Sequence, residues 1–104
     1  MSSQKKLIRE KFRKDVFVRD KYKCTFCPRV DALDAHHIID RNEIPNGGYV
    51  KENGITLCPE HHELAEVYHQ SNGMKWAPGF HPDDLYKKIK SSKDKAFKAA
   101  EQLS

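Results

Sequence analysis

The chain has 104 residues, is 38% hydrophobic and 33% charged, and carries a formal net charge of +4. A single small domain with a thin core follows, in the size range where a bound metal often supplies stability that packing cannot. No stretch approaches the ~20 apolar residues of a membrane span. Three cysteines cannot all pair and no apolar signal segment opens the chain, so a reduced, intracellular (cytoplasmic) setting is expected, without a membrane partner.

The charge is uneven. Residues 1–23 carry nine Lys or Arg against three acids, residues 24–82 four against eight, and residues 83–104 six against four. A basic arm, a mildly acidic centre and a Lys-rich tail suit a polyanion held around a central site; solvated helix faces would give the same counts.

Residues 1–4 are expected to be disordered. From residue 5 to about 20, Leu7, Ile8, Phe12 and Val16 recur at helical spacing, which predicts an amphipathic helix within a basic segment ending at residue 23. Its apolar stripe is simplest as core. Its other face offers Lys11, Arg13, Lys14 and Arg19 as candidates for contact with nucleic acid.

Cys24-Thr25-Phe26-Cys27 comes next, a spacing that lets two thiolates reach one tetrahedral ion, or that forms a redox dithiol. A second pair, Cys58 and His61, lies about 30 residues on. Paired spacing of this kind favours one structural Zn²⁺ held by Cys24, Cys27, Cys58 and His61. Residues 32–39 read as a strand and residues 40–49, with Pro45 and Asn46-Gly47-Gly48, as a long loop. Ile55, Thr56 and Leu57 form the returning strand of a hairpin. Pro59 then opens a helix to about Gln70, because proline suits the first turn, where its missing N–H costs nothing. Neighbouring helical residues point ~100° apart, so His61 and His62 need not serve the same metal.

Beyond residue 70 the chain is expected to wrap the body, with Trp76 and Phe80 as anchors. Pro82-Asp83-Asp84 begins a last helix that breaks and restarts where Ser91 and Asp94 suggest a capping box. His69 and His81 lack motif context and are assigned surface or capping roles. The whole chain, 1–104, is read as one α+β domain, with a core at 24–70 between N- and C-terminal helices.

With the zinc ligands set aside, His36, His37, Asn53 and His62 remain, with Glu66 one turn after His62. Phosphodiester hydrolysis needs such a set: a base to activate water, ligands for a cation, and a group to fix the base. In this order, Asp34-Ala35-His36-His37-Ile38, Asn53-Gly54-Ile55-Thr56-Leu57-Cys58 and His61-His62, flanked by Cys24 and Cys27, the sequence resembles the HNH endonuclease family over about residues 16–66. It is most similar to small phage or prophage members that carry a structural zinc, though His61 stands where a fourth cysteine is usual.

The resemblance implies a ββα-metal, treble-clef-like core and a metal-dependent DNA endonuclease leaving 5′-phosphate and 3′-hydroxyl ends, one strand cut per active site. It makes His37 the general base and Asn53 the brace that orients it. His36 and His62 become ligands of a catalytic Mg²⁺ or Mn²⁺, with Zn²⁺ or Ni²⁺ as alternatives. Because adjacent strand residues face opposite ways, the roles of His36 and His37 are open to exchange. Glu66 is either a further ligand or a surface glutamate, and Arg41 either a phosphate contact or a solvated loop residue. DNA is the implied partner, with phage packaging proteins as one context. The contrasting readings are a zinc-stabilised nucleic-acid-binding module that does not cut, and a protein-interaction zinc domain.

Overall fold

A computed structural model describes residues 2–40 and 42–103, with residues 2–5 as backbone alone. The architecture is α+β: helix α1 (Ser2–Arg19), strand β1 (Asp34–His37), 3-10 turns at Gly47–Tyr49 and Lys51–Asn53, strand β2 (Gly54–Leu57), and helices α2 (Pro59–Gln70), α3 (Pro82–Lys88) and α4 (Lys93–Glu101). The strands pair antiparallel, with Asp34 opposite Leu57 and His37 opposite Gly54. Among the described residues no helix is long and apolar enough to cross a membrane.

Strand β2 is buried along its whole length, so both of its edges need partners. One edge pairs with β1. On the other, the amide and hydroxyl of Thr25 donate to the Thr56 carbonyl, both at 3.1 Å, and the Thr56 amide donates to Asp20 Oδ2 at 3.0 Å. The turn after α1 and the first cysteine knuckle thus close the sheet. Ile38, Ile44, Ile55, Leu57 and Leu85, each at most 1% exposed, form the centre of the core between the hairpin and the C-terminal helices.

Helix α1 reaches the body through Phe12 and Val16, which are buried at i and i+4. Leu7 and Ile8, expected in the same stripe, are 65% and 42% exposed. Residues 6–11 of α1 are exposed throughout, so these two apolar side chains stay largely uncovered. The helix also begins at Ser2. Residues 2–4, where disorder is expected, are described as the start of this helix, and their sequence contains no glycine or proline to stop one; Met1 lies outside the described residues.

At the other end the C-terminal wrap anchors through Phe80, which is buried, whereas Trp76 stays 48% exposed. Trp76 meets the His81 ring edge-on and the Tyr68 ring at a tilt but is not buried as Phe80 is. His81 caps α3, its Nδ1 accepting from the Asp83 amide while Asp84 accepts from the His81 amide. The chain breaks at Lys90, where φ is +57°, and restarts one residue later than expected. Ser92 caps α4, while the Ser91 hydroxyl donates to the Glu52 carbonyl at 2.8 Å.

Gly54 sits where α1 crosses β2. A Cβ there would lie 2.6 Å from Phe12 Cζ and 2.6 Å from Val16 Cγ2, and a buried ring has no free end to swing aside. Gly54→Ala is predicted to destabilise by about 1–3 kcal/mol, the usual cost of overpacking. That would lower the thermal midpoint by several degrees; an unchanged midpoint would mean that α1 can lift away at no cost.

Candidate functional site

Two clusters of metal-ligating side chains lie on opposite sides of the start of α2. In the first, Cys24, Cys27, Cys58 and His61 present their donor atoms within 4.8 Å of one another. Cys27 and Cys58 Sγ are 3.7 Å apart, and His61 Nδ1 lies 3.1 Å from Cys58 Sγ and 3.7 Å from Cys24 Sγ. A Zn–S bond of ~2.3 Å at tetrahedral angles demands S···S edges of about 3.8 Å, so the spacing fits an ion at the centre. Phe26, Phe80 and the His61 ring stack beside it.

The thiol charges point the same way. Burial opposes ionisation of Cys24 and Cys58. Even so, amide hydrogen bonds, from Phe26 to Cys24 and from His61 to Cys58, together with the neighbouring side chains, hold both thiols below their ordinary value. At Cys27 the Arg29 amide pulls down, but desolvation and the two neighbouring thiols push it up. Three thiolates cannot share this space without a counter-charge, and a divalent cation would supply one.

The second cluster is His36, His62 and Glu66, again with donor atoms within 4.8 Å. Glu66 Oε1 lies 3.2 Å from both His36 Nδ1 and His62 Nε2. The alternatives left open by sequence thus separate geometrically: His36, and not His37, joins His62, and Glu66 turns inward to them. His36 is 2% exposed, and its Nε2 is buried with no hydrogen-bond partner among the described residues. Burial pushes the His36 pKa down against the pull of Glu66. The hydrogen bond from His36, against some desolvation, holds Glu66 down at about 2. At neutral pH the pair is an uncharged ring beside an ionised carboxylate, the protonation states a cation requires.

His37 sits at the last position of β1, where the strand ends and the pleat no longer forces it away from His36. Both rings line an open cleft of about 1000 Å³ with Asp34, Arg9, Asn46, Gly48 and Tyr49. The His37 ring stacks on Phe12 at 4.8 Å, and its Nε2 lies 3.2 Å from the Gly48 carbonyl. A carbonyl only accepts, so Nε2 carries the proton and Nδ1 the lone pair. Desolvation pushes the His37 pKa down, against that carbonyl.

Asn53, fully buried, lines none of this cleft. Its amide joins the Ile39 backbone to the Gly47 carbonyl, directly before the residue that holds His37.

Two cleft residues escaped the sequence reading. His69, assigned there to the surface or a cap, donates from Nε2 to the His37 carbonyl at 3.0 Å. It follows His62 by seven residues, two helical turns, so continuing the His62–Glu66 face along α2 would have found it. Asp34 Oδ2 lies 3.4 Å from His62 Nδ1, the placement that fixes the ring of a metal-binding histidine.

The basic candidates divide. Arg19 is corrected: its guanidinium holds Asp20 at 2.7–2.8 Å and donates to the Lys51 and Gly54 carbonyls, both at 2.6 Å. It pins α1 to β2 with four of its five N–H donors. Arg13 is bound to Asp34 and to the Leu33 carbonyl. Lys11 pairs with Asp15. Lys14 is exposed, and neither lysine lines the cleft. Arg41 lies outside the described residues.

No protein-family model, curated protein or solved structure matches the chain.

The two donor sets differ in chemistry, three thiols with an imidazole against two imidazoles with a carboxylate. Elemental analysis of protein loaded with Zn²⁺ and Mn²⁺ is predicted to find about two ions per chain. Brief EDTA treatment should strip the histidine–carboxylate site and spare the thiolate site. One ion in total would contradict this.

Proposed function

We propose that the chain is a metal-dependent endonuclease of the HNH class that nicks DNA in the histidine cleft. In this reading the hairpin and α2 form the ββα-metal core of that family, and Cys24, Cys27, Cys58 and His61 hold a structural Zn²⁺. The observation that carries it is the pairing of a two-histidine, one-carboxylate donor set with a separate neutral imidazole, all facing one open cleft.

His37 acts as general base. Its Nδ1 takes a proton from the water that attacks phosphorus, and the Gly48 carbonyl stabilises the imidazolium through Nε2–H. Phe12 under the ring and the His69 bond to its carbonyl keep His37 from turning into the space of His36. Asp34 and Glu66 hold the His62 ring from opposite sides. A divalent cation held by His36, His62 and Glu66 would stabilise charge on the phosphorane oxygens and on the departing 3′-oxygen. Two imidazole nitrogens with one carboxylate favour Mn²⁺, Zn²⁺ or Ni²⁺ over Mg²⁺, which prefers an all-oxygen shell.

A supercoiled plasmid incubated with each of these four ions tests the reading. Conversion to open circles is expected with Mn²⁺ or Ni²⁺ in preference to Mg²⁺. His37→Ala is expected to lose about a hundredfold or more of that rate, the usual worth of a general base, with folding and bound zinc unchanged. If folded, zinc-loaded parent protein cuts with none of the ions, the non-cutting nucleic-acid module becomes the better account.

A further inference from the structure

The three arginines of α1 have different fates. Arg19 and Arg13 are committed to the protein through carboxylates and backbone carbonyls. Arg9 has no hydrogen bond or ion pair among the described residues, and it is the α1 residue that lines the histidine cleft. It also lines a shallow groove of about 390 Å³ with Lys6, Glu10 and Arg13. The cleft and the groove therefore meet at Arg9.

Helical geometry explains the arrangement. At ~100° per residue, Lys6, Arg9 and Arg13 fall within about 60° of one another, whereas Lys11 points about 160° away from Arg9. The charged stripe that matters is thus not the one that sequence counting selects. One turn of helix advances ~5.4 Å, of the order of the step between successive phosphates along a strand. The stretch of α1 carrying Lys6 and Arg9 runs beyond the sheet and is exposed throughout residues 6–11, so a long ligand meets no obstacle there.

We propose that Arg9 is a phosphate-binding residue, and that Arg9 and Lys6 carry the nucleic-acid backbone along α1 away from the histidine cleft. The inference rests on the nuclease reading and adds to it the path and the contact that deliver the substrate. Arg9 would grip a phosphate next to the scissile one through its planar fork. Glu10, on the same groove, keeps the surface from binding anions without discrimination. The exposed stretch of α1 at residues 6–11 acquires a purpose as a rail.

The test uses full-length, zinc-loaded protein and a labelled 20-base-pair DNA duplex, followed by fluorescence anisotropy without the catalytic cation and by plasmid nicking with Mn²⁺. Arg9→Gln is compared with Lys98→Gln, which removes the same charge from α4. Arg9→Gln is expected to weaken binding about tenfold and to reduce the slope of log affinity against log salt by about one, the signature of one lost phosphate contact. It should raise KM in nicking more than it lowers kcat, Arg9→Lys should recover part of the loss, and Lys98→Gln should change affinity less than about twofold. Equal losses in Arg9→Gln and Lys98→Gln, with a parent that still nicks, would overturn the Arg9 assignment and leave the nuclease standing. A parent that binds in an Arg9-dependent way but never cuts would support the rail and sink the catalytic reading. A parent that neither binds nor cuts would overturn both.

Discussion

The side chain of Asn53, fully buried, is the constraint on which the rest of the domain depends. Its oxygen accepts from the Ile39 amide at 3.1 Å and the Tyr86 hydroxyl at 2.6 Å, and its nitrogen donates to the Ile39 and Gly47 carbonyls at 2.9 and 3.0 Å. Every hydrogen-bonding position of the amide is used. Three segments distant in sequence are thereby joined: the exit of β1, the turn before Gly48, and α3. Losing the amide would strand several buried backbone groups at about 1–3 kcal/mol each, a large share of the stability of a small domain. Gly47 is shaped to the same end, since a Cβ there would sit 3.0 Å from Ile44 and 3.1 Å from Asn53 Nδ2. Burial, with Glu43 and Asp83, holds the Tyr86 phenol up, so it remains a donor.

From this knot the cleft follows. Asn53 fixes Gly47, whose neighbour Gly48 holds His37, and it fixes Ile39, so the chain leaves β1 at an angle that lets His36 and His37 share a cleft. On the far side of the hairpin, α2 begins just after Cys58, the third cysteine, and turns His61 and His62 in different directions. His61 meets the thiols and His62 meets Glu66 and Asp34. One helix start thus serves two centres: a cation among the thiols would lock its position, and the histidine cleft inherits that position.

Much of this was legible in the sequence because it depends on spacing. The cysteine pairs, the helix opened by Pro59, and the divergence of adjacent histidines all follow from local geometry, and the observed elements agree. Asn53, expected as a brace, is buried with its amide bonded to Ile39, Gly47 and Tyr86. What sequence could not resolve depends on where the body ends and on which charges meet. Leu7 and Ile8 have the right period for a core that stops short of them. Arg19 and Arg13 look like any basic helix face until Asp20 and Asp34 are seen beside them. Which of Glu66's two alternatives holds is settled only when β1 lies against α2 and brings His36 within 3.2 Å of it. Arg9, without a partner among the described residues, stands out only after the others are accounted for.

The central claim is that α2 divides its two adjacent histidines between a thiolate centre and a histidine–carboxylate centre. Anomalous scattering from crystals grown with Zn²⁺ and soaked in Mn²⁺ locates each ion directly. Zinc is expected among Cys24, Cys27, Cys58 and His61, and manganese within about 2.3 Å of donor atoms from His36, His62 and Glu66. Manganese bound elsewhere, or a zinc ion bridging His61 and His62, would contradict it.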